Sequence, residues 1–328
     1  MTGLSDNFQR PIDYLRISVT DRCNMRCIYC MPAAGIIKMP HLDILSYEEI
    51  YRVATVAVGL GIDKIRITGG EPLVRLGLSG LIRMLAQIET VKDISLTTNG
   101  VLLSRYAGEL KAAGLRRVNV SLDTLRSERF RAITRSDINI DDVLTGIEVA
   151  GQVGLKPVKI NMVVMAGIND DEVLDFARKT IEEGWHVRFI ELMPVVGEDN
   201  VSSQFIPAAE VKKRIKTLGE LETASPGVGN GPAVYYRFPG ASGTIGFITP
   251  VSEHFCVACN RLRLTADGKL RPCLLLEDEV DIRHILRENM SAEEIEKQIR
   301  KAVLMKPLHH KLAEGNMPNH RPFSQVGG

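Results

Sequence analysis

Leu15-Arg16-Ile17-Ser18-Val19-Thr20-Asp21-Arg22-Cys23-Asn24-Met25-Arg26-Cys27-Ile28-Tyr29-Cys30 joins a strand signal directly to a loop carrying three thiols. Leu15, Ile17 and Val19 alternate with Arg16, Ser18 and Thr20, the period of two that separates the faces of a strand. The cysteines follow in the spacing C-x3-C-x2-C, with an aromatic before the last. A closed zinc site takes four ligands, so this loop alone cannot complete one. It can hold three corners of a [4Fe–4S] cube, which soft thiolates suit. The fourth iron then stays open to an exchangeable ligand, which points to chemistry rather than electron transfer alone. A zinc knot of these three cysteines with a distant histidine is the alternative that this spacing leaves open.

Outward from this stretch, strand-like runs alternate with amphipathic ones. Strands are predicted at 14–19, 64–68, 94–99, 117–123, 157–165 and 186–193, and helices near 46–60, 78–89, 104–113, 141–153 and 170–183. Ser46-Tyr47-Glu48-Glu49 opens the first helix with a capping-box pattern. Six βα units in series predict an α/β fold with a parallel sheet, a partial (β/α)6 barrel of the TIM type. We expect this barrel over residues 1–220 and a smaller C-terminal region over 221–328.

Side-chain alternation adds a lumen to that barrel. The second strand sets Ile65 and Ile67 against Arg66 and Thr68, and the third sets Ile94, Leu96 and Thr98 against Ser95, Thr97 and Asn99. The fourth sets Val118, Val120 and Leu122 against Asn119, Ser121 and Asp123, and the fifth sets Val158, Ile160, Met162 and Val164 against Lys159, Asn161, Val163 and Met165. Strands buried on both faces read apolar throughout. Here five strands carry polar and cationic residues on one face; a sheet with that face in bulk water is the alternative, and the alternating helices favour a ligand-filled cavity instead. The sixth strand is ambiguous, because Arg188 and Glu191 fall on opposite faces.

Composition narrows the class. The 328 residues are 45% hydrophobic with net charge +1, enough for a sizeable core and no basis for general affinity to nucleic acid polymers or acidic membranes. No apolar run reaches transmembrane length, and the N-terminus has no signal-peptide pattern, so a cytoplasmic location is expected. All six cysteines fall into two triplets, the second being Cys256, Cys259 and Cys273. With His254 nearby, the second triplet alone reads as zinc or as an auxiliary cluster. Asp267-Gly268 between alternating runs predicts a tight hairpin that puts Arg261 and Arg263 on one strand face, either as a solvated edge or, as the adjacent thiols favour, as a clamp for phosphate or purine.

The C-x3-C-x2-C loop, followed by Gly69-Gly70-Glu71-Pro72 at the end of the second strand, resembles the radical S-adenosylmethionine (SAM) superfamily. The runs Leu15–Asn24 and Arg66–Leu73, together with Cys256-x2-Cys259-Asn260-Arg261-Leu262-Arg263, Arg188–Met193 and the terminal Gly327-Gly328, narrow this resemblance. They are similar, over about residues 10–328, to its GTP-cyclising family of molybdenum-cofactor biosynthesis. The resemblance implies a [4Fe–4S] cluster on Cys23, Cys27 and Cys30, and a second on Cys256, Cys259 and Cys273. It implies that Tyr29, Gly70, Ser121 and Met193 contact SAM, and that Arg16, Arg66, Thr97, Lys159, Arg261 and Arg263 contact GTP. Reductive cleavage of SAM would start abstraction of the ribose 3′ hydrogen and closure onto C8 of guanine, giving (8S)-3′,8-cyclo-7,8-dihydroguanosine 5′-triphosphate. An electron donor and a downstream cyclic pyranopterin monophosphate synthase are the implied partners of a monomer or homodimer.

The Gly327-Gly328 end follows a polar segment with no helical pattern and by composition reads as frayed. The resemblance implies instead that it threads into the barrel and serves catalysis, although Val326 stands where the family more often has Ile. Two other classes remain to be weighed. A peptide-modifying radical SAM enzyme would need a peptide-binding domain ahead of the barrel, and the first strand begins near residue 14. A zinc-dependent nucleotide-binding module would show paired aromatics for stacking, whereas the chain has one Trp.

Overall fold

A computed structural model describes residues 3–193, 202–225, 227, 229–310, 312 and 321–327. Six parallel strands form its centre: β1 (Tyr14–Ser18), β2 (Lys64–Thr68), β3 (Asp93–Thr98), β4 (Arg117–Ser121), β5 (Lys159–Val164) and β6 (His186–Glu191). They pair in sequence order within one sheet. The intervening helices are α1 (Tyr47–Gly59), α2 (Leu78–Ala86), α3 (Leu103–Ala112), α4 (Ser127–Thr134), α5 (Ile140–Gln152) and α6 (Val173–Glu182). The partial barrel is therefore present, with strand and helix ends moved by a few residues.

Helix α1 shows how sequence makes these elements. Ser46 Oγ accepts from Glu49 N–H at 3.1 Å while Glu49 Oε2 accepts from Ser46 N–H at 2.7 Å, so the capping box forms. Ile50, Val53, Ala54, Ala57 and Val58 then bury one helical stripe against the sheet. Leu15, Ile17, Ile65, Ile67 and Leu96 are fully buried on the apolar strand face that meets such helices. Each contributes about 1.5–3 kcal/mol of transfer free energy.

Two features depart from the sequence expectation. Helix α4 has no counterpart among the expected elements: its sequence is polar and short, with Phe130 and Ile133 carrying its buried face. The parallel order also extends beyond six strands. Residues beyond 221 supply β7 (Glu222–Thr223), β8 (Val234–Arg237), β9 (Thr244–Ile248), β10 (Arg261–Leu264), β11 (Lys269–Arg271) and β12 (Val280–Asp281). Strand β10 joins β1 in parallel, β9 joins β6 in parallel, and antiparallel strands continue outward on both edges. The Asp267-Gly268 turn links β10 to β11, with Gly268 at φ +80°. The remaining helices are α7 (Ala208–Ile215), α8 (Arg283–Arg287), α9 (Ala292–Leu304) and the short C-terminal α10 (Phe323–Val326).

Candidate active site

The loop carrying the first thiols is held by backbone contact at its start. Gly70 N–H donates to Thr20 C=O and Glu71 N–H to Arg22 C=O, both at 2.7 Å. A Cβ on Gly70 would stand 2.4 Å from the Arg22 carbonyl oxygen, so only glycine permits this approach. Glu71 accepts from Leu73 N–H, Asn99 N–H and the Thr98 hydroxyl, tying the ends of β2 and β3 together. Burial pushes its carboxyl up to about 7 against the pull of those bonds.

Helix α4 clamps the other side of the cysteine loop. Arg26 N–H donates to Thr134 C=O at 2.8 Å, and Ile28 N–H to Ile133 C=O at 3.0 Å. Tyr29 donates its hydroxyl to Asp123 at 2.7 Å, and the same carboxylate accepts from Val163 N–H at 2.8 Å. Burial lifts Asp123 to about 6. Burial also pushes the Cys23 thiol up to about 11 and Cys30 to about 12, and raises Cys27. Left to themselves these thiols stay protonated. Binding to metal is what favours their thiolate form.

Across the cavity, Cys256 opens a short 3₁₀ turn and Cys259 ends it. Burial opposes ionisation of Cys259, but the Arg261 and Lys306 charges outweigh it and bring that thiol down to about 6. Arg261 Nη2 lies 3.5 Å from Cys259 Sγ, and its guanidinium stacks 4.7 Å over the Phe255 ring. Lys306 donates to the carbonyls of Arg261 and Pro272 at 2.9 and 2.8 Å, tying the start of β10 to the residue before Cys273. His254 packs on the rings of His309 and His310. Among the described residues no three His, Cys, Asp or Glu side chains form a group able to hold a single metal ion.

One cavity is lined by all six cysteines, and by Tyr29, Gly70, Ser121 and Met193 with Arg16, Arg66, Thr97, Arg261 and Arg263. Register explains the cationic stretch between the triplets: Arg263 is opposite Arg16, Arg16 opposite Arg66, and Arg66 opposite Ser95. Burial and the neighbouring guanidiniums lower Arg16 well below its ordinary value. Burial brings Arg66 to about 10, and burial with Arg261 brings Arg263 to about 9. Crowded like charges out of water favour an anionic ligand.

Not every expected residue reaches the wall. Lys159, at the start of β5, is buried toward the bottom of the lumen and donates to the Tyr235 hydroxyl at 3.2 Å. Burial and then Arg188 lower it to about 7. Gly327 meets the site through its carbonyl, which accepts from Arg263 at 2.9 Å and from Arg16 at 3.1 Å. Gly328 lies outside the described residues. Sequence reasoning missed Arg188, which lines the wall and donates to Asn119 Oδ1 at 2.6 Å. The signal was its parity with Ile190, masked by Glu191, whose carboxylate instead organises the loop ends at Ala208, Val251 and Ser252.

The donor set fits the groups that the sequence implied. Two thiol triplets face one lumen, and Thr97 Oγ1, Asn161 Oδ1 and Ser324 Oγ line it buried without a hydrogen-bond partner. Orphaned polar atoms of this kind cost about 1–3 kcal/mol each until a ligand meets them.

Comparison with known proteins agrees with this arrangement. Residues 17–180 match the Radical SAM superfamily model, and residues 185–312 match Molybdenum Cofactor Synthesis C. The GTP 3′,8-cyclase of Heliobacterium modesticaldum is 52% identical over 98% of this chain and 99% of its own. That of Thermodesulfovibrio yellowstonii is 53% identical over 99% and 100%. In fold, the chain resembles Streptococcus suis SuiB bound to S-adenosylmethionine, with TM-score 0.59 and 14% identity over 88% of this chain and 67% of that one. Native anSMEcpe with bound AdoMet gives TM-score 0.60 at 15% identity, over 91% and 82%.

Proposed function

We infer the division of labour in this cavity from one premise: the chain belongs to the GTP 3′,8-cyclase family of radical SAM enzymes. It converts GTP to (8S)-3′,8-cyclo-7,8-dihydroguanosine 5′-triphosphate in molybdenum-cofactor biosynthesis. The observation that carries this reading is the arginine row Arg263–Arg16–Arg66 set between two thiol triplets in a single lumen.

Cys23, Cys27 and Cys30 hold the cluster that binds SAM, and Cys256, Cys259 and Cys273 hold a second. SAM bound to such a cluster supplies one-electron, hydrogen-abstracting chemistry. The protein binds, orients and excludes water. Tyr29, fixed by Asp123, and the backbone around Gly70 and Met193 position SAM with Ser121. The freed carbonyls of the Gly69-Gly70 turn suit an ammonium group. Arg16, Arg66 and Arg263 neutralise a triphosphate of roughly four negative charges in a site where water is scarce. Lys159 adds charge from below and Thr97 offers its unpartnered hydroxyl to the nucleotide. Arg261 holds the purine end beside Cys259. Such positioning is the main catalytic resource left to the protein.

The product is the substrate class of cyclic pyranopterin monophosphate synthase, which we place next in sequence. A one-electron donor completes the partner set. The test is anaerobic incubation of cluster-loaded protein with SAM, GTP and dithionite. 5′-Deoxyadenosine and the cyclised nucleotide should appear together. Deoxyadenosine formation indifferent to GTP, with no cyclised product, would remove the reading.

A further inference from the structure

We propose that the exposed loop 32–42, directly beyond Cys30, is the docking face for a small acidic one-electron carrier protein. The inference rests on the proposed function, since a cluster on Cys23, Cys27 and Cys30 needs electrons one at a time. From Arg22 to Leu42 the chain carries Arg22, Arg26 and Lys38 and no carboxylate. Arg26, Lys38 and His41 are exposed. Ile37 stands out at 93% exposure and Leu42 at 83%. A scattered apolar residue on a surface is ordinary, but two at this exposure inside a cationic rim have the make-up of an interface.

The carboxylates around this loop are already occupied. Asp21 is buried and accepts from Met39 N–H at 2.7 Å, and Asp43 pairs with Arg283 at 2.7 Å. Glu49 is committed to capping Ser46. Arg287 binds the Leu42 carbonyl and pairs with Glu49 at 3.6 Å, so that carboxylate too is offset. Gly35 lies against the Arg26 side chain, so residues on the thiol loop and on the loop beyond it share one face. The net sign of that face selects an acidic partner and speeds its approach. Its covalent continuity with Cys30 places the partner on the side of the SAM-binding thiols. In the step served, one electron leaves the carrier's reduced flavin or iron–sulfur centre, which is oxidised by one. The electron enters the centre held by the three thiolates, and no bond forms or breaks at the interface.

Flavodoxin, an acidic FMN protein, is the probe, used with the cluster-loaded protein. Flavodoxin should bind the wild type in calorimetry, more weakly as salt rises. The variant Lys38→Glu, and separately Ile37→Asp, should bind it at least about tenfold more weakly. SAM cleavage driven by reduced flavodoxin should fall in step, while dithionite-driven cleavage and SAM affinity stay unchanged. Flavodoxin binding that is absent in the wild type, or undiminished in both variants, overturns the proposal. Equal loss of dithionite-driven cleavage also overturns it, because the loop then serves its own cavity. If the wild type cleaves no SAM even with dithionite, the underlying reading fails instead, and the binding measurement still decides the docking face.

Discussion

The carbonyl of Gly327 accepts a hydrogen bond from Arg263 Nη1 at 2.9 Å, and Arg16 donates to the same oxygen at 3.1 Å. Gly327 is thereby fixed to the two cations that meet side by side across β10 and β1. Gly327 has φ +68°, and a Cβ there would lie 2.4 Å from Thr68 Oγ1. Left-handed backbone costs other residues about 1–2 kcal/mol before that clash is counted. Gly327→Ala, or deletion of Gly327 and Gly328, should keep the iron content and GTP binding but abolish the cyclised product. Product formation at the wild-type rate by the deletion variant would show the tail to be dispensable.

The thiol triplets make a stoichiometric prediction. Anaerobically purified protein should hold about eight irons with matching sulfide, as two [4Fe–4S] clusters require. Cys27→Ser should lose about half of them and all SAM cleavage. Iron and sulfide assays beside zinc analysis give the answer, and tightly held zinc without sulfide would return the site to the zinc reading.

Arg263 is buried in the cavity wall. Its replacement by Ala should weaken GTP binding by about 1.5–3 kcal/mol, the worth of a charge-assisted hydrogen bond. SAM cleavage should remain measurable in the variant. Equilibrium binding of GTP to the cluster-loaded protein tests this, and an unchanged dissociation constant removes Arg263 from the nucleotide site.

Glu71 gives the fold a pH signature. Burial raises its carboxyl from an ordinary 4.5 to about 7, so the unfolded chain gives up this proton at lower pH than the folded one. The resulting stabilisation is full below about 4.5 and lost as pH rises through 7, a change of about 3 kcal/mol. Urea unfolding of reduced, cluster-free protein at pH 5 and pH 8 should show the wild type losing more stability than Glu71→Gln. Identical losses in the two proteins would contradict the assignment.

Local pattern was sufficient for much of this site. Strand parity is a property of neighbouring residues, and it put Arg16, Arg66, Thr97 and Ser121 on the lumen face where they stand. The capping box at Ser46 and the Asp267-Gly268 turn are likewise short-range, and both form. Parity says which face a side chain takes but not how deep it sits, so Lys159 shares the polar face yet lies below the wall that Asn161 lines. Tertiary structure alone decided that β10 runs beside β1, bringing Arg263 opposite Arg16 from the far end of the chain. It also decided the worth of α4, whose polar sequence matters through the carbonyls of Ile133 and Thr134 that grip the cysteine loop. A backbone carbonyl has no side-chain signature, so its partner is chosen by where the folded chain brings it. The same holds for Gly327, placed by two guanidiniums that no pattern within its own segment encodes.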